Sequence, residues 1–289
     1  KSKRCYYNRC RYQPEAKYVQ GSIEKMVTRL ANPVQYHLPI GETTLDVNTR
    51  LGQQLNLQYT GQIFCVHCQK KTSKSFNQGY CYPCFMRLAQ CDMCIMKPET
   101  CHYHAGTCRE PEWAQAFCFR SHYVYLANSS GIKVGITRGN QVPTRWIDQG
   151  AVQALPIFKV ASRQISGLIE VIIARHISDK TSWQQMLKAS PPRLNLPEIR
   201  DELLSICQTE LAELSAKFAP EAIARIMDAE TVEIDYPILQ YPAKIKSLSF
   251  DKDSTISGKL QGIKGQYLIF DTGVINMRKF GGYEIKLLD

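Results

Sequence analysis

Residues 65–84 read Cys65-Val-His-Cys68-Gln-Lys-Lys-Thr-Ser-Lys-Ser-Phe-Asn-Gln-Gly-Tyr-Cys81-Tyr-Pro-Cys84. Two Cys-x2-Cys pairs are separated by twelve residues. A two-residue gap on a tight turn aims both thiolates at one point, which is what tetrahedral Zn²⁺ requires. The first pair reads as a knuckle between short strands. The second leads into the apolar residues 85–88, which read as the start of a helix. Together they predict a zinc ribbon or treble clef. Four thiolates close the coordination sphere, so the expected ion holds the fold and offers no open position for chemistry.

The same signal continues downstream. Nine of the twelve cysteines lie between Cys65 and Cys118. After Cys84 come eight further candidate ligands: Cys91, Cys94, Cys101, His102, His104, Cys108, Cys118 and His122. Eight are enough for two more tetrahedral sites. Cys91-x2-Cys94 has ligand spacing, and the sequence leaves the grouping of the others open. Some of them read equally as ordinary buried cysteines. The expectation is two or three structural Zn²⁺ per chain. A deaminase-type catalytic zinc is excluded, because no His-x-Glu precedes Pro83-Cys84 and no second cysteine follows it at a two-residue gap.

The chain has 289 residues, enough for about two domains. Its formal net charge of +10 favours a polyanionic partner, DNA or RNA, with the ribosome as an alternative. No apolar run reaches the ~18 residues that span a bilayer, so no membrane partner is expected. No apolar stretch follows Lys1-Ser2-Lys3-Arg4 to make a signal peptide, and paired cysteines without one suit the reducing cytoplasm. Residues 1–18 read as a basic tail. There Lys3, Arg4, Arg9 and Arg11 would meet phosphates, and Tyr6, Tyr7 and Tyr12 would stack on bases. Cys5 and Cys10 are left open as ligands or free thiols.

Residues 19–63 alternate apolar and polar side chains in short runs, with Gly41 and Gly52 at turns, and predict a small β unit. Residues 236–289 predict another. Val34-Gln-Tyr-His-Leu compares with Gly265-Gln-Tyr-Leu-Ile, so the two ends read as weakly repeated, barrel-like antiparallel units flanking the centre. The zinc region occupies 64–121. Residues 191–235 read as helical, with one more short helix expected over 222–227. The expected class is α+β.

The central stretch, 122–190, reads strand, turn, strand, loop, short helix, strand, helix. Tyr123-Val-Tyr-Leu-Ala and Lys133-Val-Gly-Ile-Thr137 make a hairpin across Asn128-Ser-Ser-Gly131. Arg145-Trp-Ile-Asp opens a short helix after Pro143, residues 154–160 give a third strand, and the next helix carries Glu170. This order resembles the GIY-YIG nuclease superfamily over about 55 residues. Tyr123-Val-Tyr125 stands in place of GIY and Lys133-Val-Gly135 in place of YIG, so the first Gly is replaced by Tyr123 and the second Tyr by Lys133. The resemblance implies catalytic roles for Tyr125, Lys133, Arg145 and Glu170. Tyr125 would position or deprotonate water, Arg145 would hold the phosphate, and Glu170 would hold Mg²⁺ or Mn²⁺. Lys133 and Arg138 join the tail cations as candidate phosphate contacts.

The whole chain also resembles a bacterial family of uncharacterised proteins, the domain-of-unknown-function family numbered 2797. The matching motifs are Gln78-Gly-Tyr-Cys-Tyr-Pro-Cys-Phe85, Gly106-Thr-Cys-Arg-Glu110, Lys133-Val-Gly-Ile-Thr-Arg138, Arg145-Trp-Ile-Asp-Gln-Gly-Ala151 and Gly262-Ile-Lys-Gly-Gln-Tyr267. That likeness implies a family and no activity. The expected function is a zinc-stabilised nucleic-acid-binding protein, with metal-dependent phosphodiester cleavage if the centre is active. The alternatives are a non-catalytic DNA-, RNA- or ribosome-binding protein and a zinc scaffold for a protein partner.

Overall fold

The computed structural model describes residues 18–177 and 182–288. The tail residues Lys3, Cys5, Arg4, Arg9, Cys10 and Arg11 lie outside the described residues. The chain starts with strands β1 (Val19–Ser22), β2 (Val27–Arg29), β3 (Gln35–Ile40), β4 (Thr43–Asp46), β5 (Gln54–Phe64) and β6 (Lys71–Thr72). Alternate residues of β3 (Tyr36, Leu38, Ile40) and of β5 (Leu55, Leu57) are buried, which is the period-two pattern of a half-covered sheet.

The cysteine-rich region follows with three short helices, α1 (Tyr82–Arg87), α2 (Met93–Met96) and α3 (Pro111–Phe117), joined by 3-10 turns. The centre comprises β7 (His122–Asn128), β8 (Ile132–Arg138), α4 (Thr144–Asp148), β9 (Gln153–Val160) and α5 (Arg163–Ala174). Next come α6 (Trp183–Lys188), α7 (Leu196–Ile206) and α8 (Gln208–Ser215), then β10 (Ile223–Arg225) and β11 (Val232–Glu233). The helix expected over 222–227 is instead strand β10, which pairs with β9. The open edge of β9 outweighs local helical spacing there.

The last strands are β12 (Thr255–Lys264), β13 (Tyr267–Phe270), β14 (Gly273–Asn276) and β15 (Tyr283–Leu288). They correct the expectation of two separate β units at the ends. The long strand β5 lies between β15 and β12, in one antiparallel sheet of order β1-β15-β5-β12-β13-β14, with β6 also on β5. The segments compared as a repeat fall in different sheets: β3 and β4 pair with β2 in a three-stranded sheet, and β13 and β14 end the larger one. Neither end buries its apolar face alone. Ile23, Tyr36 and Leu38 share a core with Leu260, Ile275 and Ile285.

The central sheet, β10-β9-β7-β8, has both faces covered. Tyr125, Ala127 and Ala154 point into the core shared with the β-rich ends, together with Trp146 of α4. Val124, Leu126 and Leu155 pack against α5, α7 and α8. Helix α5 buries Ile165, Ile169 and Ile173, one residue per turn, and its N-cap Ser162 accepts from the Ile165 N–H. Truncating Ile169 to Ala would open a cavity and destabilise the fold by roughly 2–5 kcal/mol.

Candidate functional site

The Sγ atoms of Cys65, Cys68, Cys81 and Cys84 all lie within 4.8 Å of one another. Local structure brings them there. The knuckle turn closes with Gln69 N–H donating to Cys65 O at 2.9 Å, and Gln69 sits at φ 60°. Cys81 precedes the first turn of α1, placing Cys84 one turn inside the helix. Burial tends to raise the Cys65 thiol, but backbone N–H groups of Cys68, Cys81 and His67 outweigh it and bring it down to about 6. Cys84 is pushed up to about 12, by burial first and then by its three sulfur neighbours. Four thiols so crowded favour a shared cation over separate protons. The cluster fits a structural zinc.

The remaining expected ligands separate. Cys91 is buried beside the first quartet, while Cys94 faces a recess farther along. Asp92 between them is extended (φ −70°, ψ 155°), which divides a pair expected to act together. Asp92, Cys94 and His102 bring three ligand atoms within 4.8 Å, and Cys101, Cys108 and Cys118 rim the same recess. His104 is exposed and meets the rings of Tyr103 and Phe119 edge-on. His122 is fully buried in β7, its Nδ1 donating to Arg120 O at 2.8 Å, and burial lowers it to about 4. Neither histidine falls in a described ligand group.

Beside the cysteine-rich region lies a cleft of about 330 Å³, between β8, α4 and α5. Its lining includes Arg138, Arg145, Arg163, Arg278 and Lys25, against the carboxylates of Glu170 and Asp148. Asp148 is already engaged by Lys25 Nζ and Gln266 Nε2, each at 2.9 Å. Four arginines and Lys25 thus face two carboxylates, and Asp148, which also acts on Arg278, is shared with Lys25. Burial is the main influence lowering Arg163 and Arg278, and the charge of Arg145 adds to it at both. They stay charged, so the crowding amounts to stored repulsion that an anion would relieve.

Glu170 is pushed up to about 7, chiefly by burial, with Glu99 adding to it and Arg145 and Arg163 opposing. Tyr125 lies behind the cleft and does not line it. Its side chain is fully buried, stacked edge-on against Trp146, with the hydroxyl donating to Gln149 Oε1 at 2.8 Å. Gly135 on β8 makes this seat available, since a Cβ there would lie 2.7 Å from the Tyr125 hydroxyl oxygen. Burial raises Tyr125 to about 12, against Arg145, whose charge and hydrogen bond both lower it. The phenol thus braces Arg145 from behind and is not open to solvent.

Apart from Lys25, the metal cluster and the cleft fall within residues 52–285. That stretch is matched by the family described as protein of unknown function (DUF2797). The chain belongs to the DUF2797 family. A comparison with curated proteins and one with solved structures each find no match.

Within this DUF2797 chain, the expected central residues meet unevenly. Arg138, Arg145 and Glu170 line the cleft, and Tyr125 backs it. Lys133 lines a neighbouring recess of about 280 Å³ with Glu99 and Glu170. Sequence reading missed Arg163, Arg278 and Lys25. Arg163 follows the α5 cap within the stretch already singled out, and only its place on the helix could have drawn notice. Arg278 and Lys25 come from the far ends of the chain, where no local motif marks them.

Proposed function

We propose that the chain is a zinc-stabilised nucleic-acid-binding protein whose central cleft takes a phosphodiester backbone. The observation that supports this best is the gathering of Arg138, Arg145, Arg163, Arg278 and Lys25 around one cleft against two acids, Glu170 and Asp148. A guanidinium offers forked N–H donors that suit phosphate oxygens, and several along a groove suit a repeating phosphate chain better than a single small anion. The net charge of +10 and the resemblance of the central stretch to the GIY-YIG superfamily point the same way.

Hydrolysis is the second reading, favoured by the placement of Glu170. A partly buried carboxylate facing a phosphate site is a ligand for Mg²⁺ or Mn²⁺, ions that keep several waters and bind phosphate oxygens as well. Arg145 would hold the phosphate, and Tyr125 would be a positioning residue for Arg145. The ribosome stands as the alternative nucleic-acid partner.

The test is binding of labelled single- and double-stranded DNA and RNA by the wild type and by the Arg138→Gln, Arg145→Gln double variant. The proposal expects the variant to lose at least tenfold in affinity while keeping its melting temperature. Equal affinity would overturn it. Cutting with Mg²⁺ or Mn²⁺ that Glu170→Ala abolishes would establish the hydrolytic reading, and binding without cutting would leave the binding reading alone.

A further inference from the structure

We infer that Cys94, Cys101, Cys108 and Cys118 form a second tetrahedral thiolate site for a zinc ion. These four cysteines rim one narrow recess of about 20 Å³, with Asp92, His102, Trp113 and Ala114 beside them. That volume suits a single small ion, being of the order of the ~10–15 Å³ that one water needs. The ligands come from four places in the chain: α2, the 3-10 turn over Pro98–Thr100, the loop after Gly106, and the end of α3. An ion there would tie these four points of the stretch together. None of the described residues from 92 to 121 belongs to an apolar core cluster of the molecule. A segment of this size without a core needs a staple.

Cys94 has a competing ligand set, since Asp92 and His102 lie within 4.8 Å of it, whereas Cys101, Cys108 and Cys118 stand in no group that close and would have to draw in around the ion. Their other contacts decide against them. The Asp92 carboxylate already receives Arg109 Nε at 2.7 Å and lies 3.5 Å from His102 Nε2. His102 Nδ1 is engaged with Thr107 Oγ1 at 2.7 Å. A carboxylate neutralised by arginine is a weak ligand, whereas four sulfurs match the preference of Zn²⁺ for thiolate. This ligand set also separates Cys94 from Cys91 and leaves out His104 and His122.

The second site would hold one wall of the basic cleft. Arg163 N–H donates to Cys118 O at 2.8 Å, and the Arg163 guanidinium donates to Ile95 O. Arg138 lies over the ring of Phe117, 5.2 Å from its centroid. Helix α5 touches this region so closely that a Cβ on Gly167 would lie 2.6 Å from Pro98 Cβ. Two cleft arginines thus rest on the segment that the ion would fix, although the metal proposal stands whether or not the cleft binds nucleic acid.

The test is zinc content of the full chain, with iodoacetamide labelling of the same protein read by mass spectrometry. The wild type should carry two zinc ions. Cys94, Cys101, Cys108 and Cys118 should resist labelling until chelator is added. Cys108→Ser and Cys118→Ser should each lose one ion, and Asp92→Asn and His102→Ala should lose none. Labelling of the wild type keeps the test decisive if the serine variants fail to fold. One zinc per chain with these four thiols freely labelled would overturn the inference. So would disulfides among them, or an ion lost from His102→Ala and kept in Cys108→Ser.

Discussion

The backbone N–H of Arg163 donates to the carbonyl oxygen of Cys118 at 2.8 Å. This bond joins the first residue of α5 to the end of the cysteine-rich region, so the arginines of the cleft and the thiols share one support.

Removing zinc should unfold more than the knuckle. Cys84→Ser, or a strong chelator, should destabilise the protein by several kcal/mol, given the ~10–16 kcal/mol that structural zinc supplies to small domains. Thermal melting of the loaded and stripped protein checks this, and an unchanged melting temperature would count against a structural ion. Acid should act likewise, because protons compete with the metal for the thiolates that bind it. Zinc release is therefore expected on acidification, read as zinc content after dialysis across a pH series.

Gly135→Ala should loosen the centre of the molecule. The new methyl would lie 2.7 Å from the Tyr125 hydroxyl oxygen and displace the buried ring. Overpacking of this kind destabilises by about 1–3 kcal/mol. Denaturant unfolding measures it, and Tyr125→Phe serves as the control. That control removes the bond to Gln149 without adding volume and should lose about 1 kcal/mol.

Glu170 should make both stability and binding depend on pH. Its carboxyl is raised to about 7 in the folded protein, above its ordinary value of 4.5. Folding therefore favours the protonated form, and stability falls as pH rises from about 4.5 through 7. Glu170→Gln should be more stable than wild type at pH 8 and nearly equal to it at pH 4. Protonation also removes the acid opposing Arg145 and Arg163, so nucleic-acid affinity should rise as pH falls through 7, and Glu170→Gln should flatten that rise. Melting curves and binding titrations at pH 4–8 and 6–8 respectively read the two effects.

The centre was legible because each of its elements carries its own local signal. The alternation at 123–127 and 133–137, the turn at Asn128–Gly131 and the spacing of Ile165, Ile169 and Ile173 are all short-range. The first cysteine quartet was legible for the same reason. Pairings made at long range left no such mark. Nothing local says that Leu57 of β5 will lie opposite Ile256 and Leu287, so the ends read as two units and not one. Arg278 reaches the cleft by the same long-range route. The separation of Cys91 from Cys94 turns on the backbone of one residue, Asp92, which ligand spacing does not report.

The central claim is that the arginine cleft binds a phosphate backbone, and the salt dependence of binding tests it most directly. Affinity for a 20-nucleotide oligomer should fall linearly in log–log form with salt, at roughly 0.7–0.9 per phosphate neutralised. Replacing Arg145 by Gln should weaken binding and reduce that slope by about one, without a sequence preference. A slope near zero, or one identical in wild type and the Arg145→Gln variant, would contradict the account.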